Sequence, residues 1–353
     1  MERILVKNAN WLGTAIGLIL GLLVGIQCSN AQSDSTEKSN SDTVPNSSIP
    51  FQIKTLGGTQ FWTDIRHCGG WRVQENTVIG YHRLLDPKNR LHQFGNLEQC
   101  LETLNEKRNS GDAVPHQGRV VIVLHGLIRT TRSMQKLGEY LAANSDMNAV
   151  NFEYASTRKP VAYHANALAQ LIDSLGNDVT EINFVAHSMG NIVTRHFLKD
   201  LEDAGRSDSR FKRMVMIGPP NQGSKMAYLL KRSFFFNAIA GSSGWELGGG
   251  WEKLEPCLKT PDFEFGIIAG GQNDHQLLSN FMLPGKDDFT VTVDETKLVG
   301  ATDFLVKPLL HGTMMRNQLT LDATLQFLEK GYFDSAESRN PIVELSAANQ
   351  KND

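Results

Sequence analysis

The residues with the plainest chemical potential are Ala186-His187-Ser188-Met189-Gly190, which close the apolar run beginning at Ile182 and lead directly into an amphipathic stretch. A serine on so tight a strand-to-helix turn is held out as a nucleophile, and the turn requires small residues two before it and two after it. Gly190 meets that requirement, and Ala186 meets it with one extra methyl in place of glycine. The start of the following helix would also place the Met189 N–H and a positive dipole end where an oxyanion forms. The plainer alternative is that Ser188 caps the helix, as serines often do.

Two further features point to the same chemistry. His125-Gly126 follows the apolar run Arg119 to Leu124, the position from which a second backbone N–H, that of Leu127, would face the oxyanion. Downstream, a carboxylate and then a histidine occur at strand ends, in the order Ser, Asp, His that such a site needs. Among the other histidines, His187 reads as a packing or hydrogen-bonding residue and His196 as part of the next helix, near its buried side. His275 reads as a loop residue, and His67, His82, His92, His116 and His164 as surface or accessory residues with no second partner. No cysteine lies in a C-x-x-C pair or beside metal-spaced histidines, so thiolate and zinc chemistry are set aside and no metal is expected. No G-x-G-x-x-G follows a strand and no phosphate loop occurs, so neither a dinucleotide nor ATP is expected as cofactor.

These residues must be positioned by the elements around them. Apolar strands at Arg119 to Leu124, Ala149 to Tyr154 and Ile182 to Ala186 alternate with helices at Ser133 to Ala143, Val161 to Leu175 and Met189 to Ala204. Further strands are expected at Met214 to Gly218, Phe265 to Ala269 and Asp303 to Val306. Such alternation predicts an α/β fold with a mostly parallel sheet covered on both faces. Ligands of these folds bind beyond the carboxyl ends of the strands. Between Gly223-Ser224 and the next strand lies an apolar, glycine-punctuated insertion with Phe234, Phe235, Phe236, Trp245 and Trp251. It is either a lid offering an acyl-binding wall or a helical excursion packed on the core.

The flanks read differently. Residues 51–118 form a small N-terminal accessory region: Trp62, Trp71, Ile79 and Tyr81 lie in short extended runs broken by Gly57-Gly58 and Gly69-Gly70. Asn96 to Lys107 then places Leu97, Cys100, Leu101 and Leu104 on one helical face. Its aromatics are expected to form a small core of their own. Residues 1–31 combine a basic start with an uncharged run from Trp11 to Ile26 and the small residues Ser29 and Ala31, as in an export signal cleaved after Ala31. The alternatives are an uncleaved membrane anchor or lipidation of Cys28. Residues 32–50 read as a disordered linker and 334–353 as a flexible tail. Of 353 residues 40% are hydrophobic and 21% charged, which excludes whole-chain disorder, and the net charge of −3 resides in the ends. The body from Phe51 to Phe333 is neutral, which argues against nucleic acid as a partner. In an oxidising compartment Cys68 and Cys100, which share the accessory region, are the first choice for a disulfide.

Together VIVLHG (121–126), FVAHSMG (184–190), IGPPNQGS (217–224), GKDDFTVTVDETKL (285–298) and LHGT (310–313) resemble a bacterial lipase/esterase family of α/β-hydrolases, over about Arg119 to Phe333. The resemblance implies an eight-stranded α/β-hydrolase fold at residues 119–333 and a serine hydrolase of esters needing no cofactor. Carried over by position, Ser188 is its nucleophile, His311 its general base and Asp288 the carboxylate that orients the imidazole. The chain departs from the family pattern at Phe289, where glycine usually follows the acid, and at Asn191, where a second glycine is common. Asp287 is a rival acid beside Asp288, and register with Thr290-Val291 favours Asp288. An ester or lipid-like substrate, with transient contact to a lipid surface, is the expected partner. Acyl transfer or amide cleavage on the same triad, and a catalytically silent binding protein, are the other readings.

Overall fold

The computed structural model describes residues 58–224, 234–271 and 291–344, with side chains from Gln60 onward and, in the second stretch, from Ala240. The expected export signal, the linker and the tail beyond Glu344 lie outside the described residues.

The described residues open with a single 3-10 turn (Gly58–Phe61), followed by four short antiparallel strands, β1 (Trp62–Cys68), β2 (Trp71–Asn76), β3 (His82–Leu85) and β4 (Leu91–Gly95), paired in that order. Gly69 and Gly70 have φ of 53° and 84°, as the two-residue hairpin between β1 and β2 demands. Helix α1 (Leu97–Asn109) starts at a capping box in which Asn96 and Gln99 satisfy each other's backbone N–H.

Six strands then form the second sheet: β5 (Gly118–Leu124), β6 (Asn148–Phe152), β7 (Val179–His187), β8 (Phe211–Ile217), β9 (Glu264–Gly270) and β10 (Asp303–Lys307). Their order is β10-β9-β8-β7-β5-β6, and every neighbouring pair is parallel. The crossovers contain α2 (Thr131–Asn144), α3 (Val161–Asp173), α4 (Met189–Asp203), α5 (Phe234–Leu247), α6 (Trp251–Leu254) and α7 (Val293–Thr296), and α8 (Gln318–Lys330) follows β10. Strand order, parallel direction and the serine turn between β7 and α4 make this an α/β-hydrolase fold, with six strands among the described residues where the resemblance implied eight.

Alternation along each strand divides the core. Val121, Val123, Val185, Val215 and Ile268 face Met134 and Leu137 of α2 and Leu321 and Phe327 of α8. Val120, Ile122, Leu124, Phe184, Ala186 and Met216 face the other side, with Leu168 of α3 and Ile192 of α4. The N-terminal sheet joins this second cluster through Ile65, Trp71, Val73 and Leu84, together with Cys100 and Leu104 of α1. Its core is therefore continuous with the main one rather than separate, because β1 lies against α3.

The expected Cys68–Cys100 disulfide is not formed; both are buried free thiols. Cys68 turns its Sγ toward the Ala113 carbonyl, 3.7 Å away, and Cys100 points from α1 into the apolar core. A disulfide needs the two Cβ vectors to converge, which common residence in one region does not guarantee.

Candidate active site

The parallel register aligns the carboxyl ends of β5, β6, β7 and β8, so Leu124 pairs with both Phe152 and Ala186, and His187 with Ile217. Ser188 is the single residue between β7 and α4. Its backbone adopts φ 54° and ψ −123°, a region non-glycine residues rarely enter, and its side chain makes no capping bond to the helix. The plain cap is therefore set aside. The strained turn is held by its neighbours: Ser188 N–H donates to the Ile217 carbonyl (2.9 Å), and its own carbonyl accepts the Asn191 N–H (3.1 Å) and Nδ2 (3.0 Å). Asn191, which departs from the family pattern, thus ties its side chain to the turn. Gly190 is required by close approach, since a Cβ there would lie 2.8 Å from the His125 carbonyl oxygen and 2.9 Å from Leu124 Cβ. Ala186 is fully buried within β7, where its methyl packs into the core.

The chain leaving β5 passes directly over this turn. A Cβ on Gly126 would lie 3.0 Å from both His187 Nδ1 and Ser188 Cβ. Residues 126–129 form a tight turn closed by Arg129 N–H to the Gly126 carbonyl (3.2 Å), with Ile128 at φ 62°, a position where such turns favour glycine. The Ile128 N–H donates to Ser156 Oγ (3.1 Å), and the Leu127 N–H has no acceptor among the described residues. Met189, as the first residue of α4, likewise presents an N–H without an intrahelical carbonyl. His125 is fully buried beneath the turn. Its Nδ1 lies 2.9 Å from the Gly126 carbonyl, its Nε2 accepts the Tyr154 N–H at 3.4 Å, and its ring stacks on Tyr154 at 4.1 Å.

His311 is buried in the loop after β10, and its carbonyl accepts a hydrogen bond from His187 Nε2 (3.0 Å), with ring centroids 4.6 Å apart. Burial, and then the nearby His311 and Arg129, push the His187 imidazole well below its ordinary range, so it is neutral and Nε2 carries the proton. His187 therefore hydrogen-bonds, as expected of it, and in doing so links the serine turn to the His311 loop. A Cβ on Gly312 would meet Arg129 Nη2 at 3.0 Å, which brings the 126–129 turn against the same loop. Ser188, Gly126, His187 and the His311 loop are thus gathered at one end of the sheet. Asp288 and its rival Asp287 lie outside the described residues.

The turn that leads into the N-terminal sheet reaches the same end, which nothing in the sequence foretold. Gln60 Nε2 donates to the Arg129 carbonyl (2.8 Å), while its Oε1 accepts from Ser156 Oγ (3.3 Å) and Thr157 Oγ1 (3.1 Å). Asp64 is buried and exchanges two bonds with Glu153, each 2.8 Å: its N–H to the Glu153 carbonyl, and the Glu153 N–H to its carboxylate. Burial raises the Asp64 carboxyl above its usual range, against the pull of Arg72. Glu153 is as buried, but the adjacent His125 ring, its Nε2 3.6 Å from Oε1, and the bonds from the Thr131 N–H and hydroxyl outweigh that burial and hold it below its usual range.

In the insertion, α5 contains a kink at Gly241, where φ is 63° and a Cβ would lie 1.7 Å from the Thr157 carbonyl oxygen. Ser243 Oγ donates to the Lys159 carbonyl (2.6 Å), and Glu246 accepts the Val161 N–H (2.8 Å). The described part is therefore packed on the 157–161 loop. Trp245 is half-exposed, Trp251 packs against Gly223, and the side chains of Phe234, Phe235 and Phe236 lie outside those described. Four of the histidines read as surface or accessory residues without a partner were misjudged from sequence: His164 is fully buried, His67 Nδ1 lies 2.9 Å from His116 Nε2, and His92 Nε2 lies 3.2 Å from Asp86 Oδ2.

Residues 88–240 match a family described as a domain of unknown function, DUF7379. No curated protein matches the chain in sequence. Similar solved structures include Bacillus licheniformis lipase BlEst2 in mature form (TM-score 0.47, 16% identity, covering 62% of this chain and 95% of that one). Others are the phospholipase PlaB of Legionella pneumophila (0.45, 17%, 61% and 57%) and the metagenomic carboxyl esterase MGS0156 (0.42, 15%, 60% and 73%). The α/β-hydrolase fold of this chain stands on its own strand order and serine turn.

Proposed function

We propose that the protein is an exported serine hydrolase that cleaves carboxylic esters, including lipid-like ones, through an acyl-enzyme on Ser188. The observation that carries this reading is the backbone of Ser188, held in a strained conformation without a capping role beside the His311 loop. Strain of this kind persists only where the surroundings over-determine it, and it is concentrated at reactive residues. In the proposed reaction His311 takes the Ser188 hydroxyl proton as Oγ attacks the ester carbonyl carbon, and Asp288 orients the imidazole and stabilises the imidazolium. The Leu127 and Met189 N–H groups receive the negative oxygen. The tetrahedral species collapses, His311 returns the proton to the leaving alcohol, and water repeats the sequence to release the acid. The neutral body suits uncharged esters, and the aromatic insertion beyond β8 suits an apolar acyl chain. Export is supported by the composition of residues 1–31.

The test is p-nitrophenyl ester hydrolysis with fluorophosphonate labelling of wild type and Ser188→Ala. Wild type should turn over and label, and the variant should lose both, with turnover down by several orders of magnitude. Labelling that persists in a folded Ser188→Ala protein refutes the assignment.

A further inference from the structure

We infer that Gln60, acting with Ser156, is a positioning residue of the oxyanion site, so that the N-terminal sheet completes the active site rather than merely adjoining it. This rests on the proposed role of the Leu127 N–H.

The argument starts from the turn at 126–129. A turn with positive φ at its third residue is relaxed when that residue is glycine; with a β-branched residue there the same backbone is an outlier. Here the residue is Ile128 at φ 62°. The Leu127-Ile128 sequence by itself favours the alternative turn, reached by rotating the peptide between those two residues. That rotation would also disturb the adjoining Leu127 amide. Something outside the turn must oppose it, and two contacts do so. Ser156 Oγ accepts the N–H of the peptide that would rotate, and Gln60 Nε2 holds the carbonyl at the far end of the turn. Gln60 also fixes the hydroxyl that does the holding, because its Oε1 accepts from Ser156 and Thr157. One amide therefore grips the turn directly and, through Ser156, indirectly.

Gln60 is itself anchored. Two residues on, β1 docks along the segment after β6: Ala155 N–H donates to Thr63 Oγ1 (3.2 Å), and Asp64 and Glu153 exchange their paired bonds. Glu153 in turn binds Thr131 through both its N–H and hydroxyl, at the start of the helix that follows the turn. The accessory region thus grips the segment that carries Leu127 from its C-terminal side, directly at Arg129 and through Ser156 and Glu153 at Ile128 and Thr131.

The experiment uses the full-length chain, with p-nitrophenyl butyrate as probe substrate and amide hydrogen exchange as a readout that does not need activity. Gln60→Ala and Ser156→Ala should each lower kcat about ten- to a hundredfold, the scale of losses from misplaced catalytic groups. KM should stay within about twofold, and the Ile128 N–H should exchange faster. In an Ile128→Gly background, where the observed turn is the relaxed one, Gln60→Ala should cost much less. Unchanged kcat, a loss confined to KM, or an equal cost in the Ile128→Gly background overturns the inference. If wild type neither hydrolyses the ester nor takes a fluorophosphonate on Ser188, the hydrolase reading fails. Exchange still decides the clamp in that case: faster exchange at Ile128 in Gln60→Ala supports it, and unchanged exchange rejects it.

Discussion

The strained serine turn makes an unusual prediction, that destroying the proposed nucleophile in one particular way stabilises the protein. Ser188 adopts φ 54° and ψ −123°, and such conformations cost a non-glycine residue about 1–3 kcal/mol. Glycine adopts positive φ without that penalty but loses about 0.5–1 kcal/mol more conformational entropy on folding. Ser188→Gly should therefore gain about 1 kcal/mol, which for a domain of this size raises Tm by about 2–4 °C. Ser188→Ala keeps the Cβ and so keeps the strain. Since the Ser188 side chain makes no capping bond, the alanine variant forfeits none of the roughly 1 kcal/mol a helix cap contributes, and its Tm should match wild type. Calorimetry on the three proteins, with fluorophosphonate labelling alongside, separates the cases. If glycine is no more stable than alanine, the turn stores no strain. If alanine is markedly less stable than wild type, Ser188 is a cap after all, and the argument from backbone to nucleophile collapses.

Two other outcomes follow from the same geometry. Gly190→Ala would place a methyl 2.8 Å from the His125 carbonyl oxygen and 2.9 Å from Leu124 Cβ, neither able to swing aside. Overpacking of this kind costs about 1–3 kcal/mol, and a melting temperature equal to wild type contradicts it. His164 is buried, and burial lowers its pKa to about 3. The unfolded chain therefore binds a proton near pH 6.5 that the folded chain refuses until about pH 3. Stability should fall as pH drops through that window, by about 1.4 kcal/mol per pH unit from this residue. His164→Gln, which retains a donor for the Lys159 carbonyl, should flatten urea-derived stability against pH between those limits by that amount; an unchanged slope rejects the assignment.

How much was legible in the sequence differs by element. The strands β5 to β10 could be read because each is a run of apolar residues bounded by polar turns, and the serine turn because a strand, a small-residue bracket and a helix follow one another without interruption. Asn191 stood in the sequence only as a departure from the family pattern, with nothing to say that its amide binds the Ser188 carbonyl. The cysteine pairing failed because proximity along the chain says nothing about the direction of two thiols. His67 and His116 were assigned no partner because they are far apart in sequence, and a sheet edge and a loop had to meet before they became neighbours.

Local order, then, is what the sequence by itself determined: which segments are strands and helices, that one serine lies on a turn too tight for a side chain at Gly190, and that a histidine follows the last strand. These depend on residue periodicity and on steric limits spanning a few residues. Tertiary structure decided who holds whom. His187 meets the His311 loop across 124 positions, and Gln60 meets Arg129 across 69. A glutamine amide or a serine hydroxyl has the same composition wherever it lies. Only the docking of β1 beside the end of β6 gives Gln60 and Ser156 a strained turn to hold.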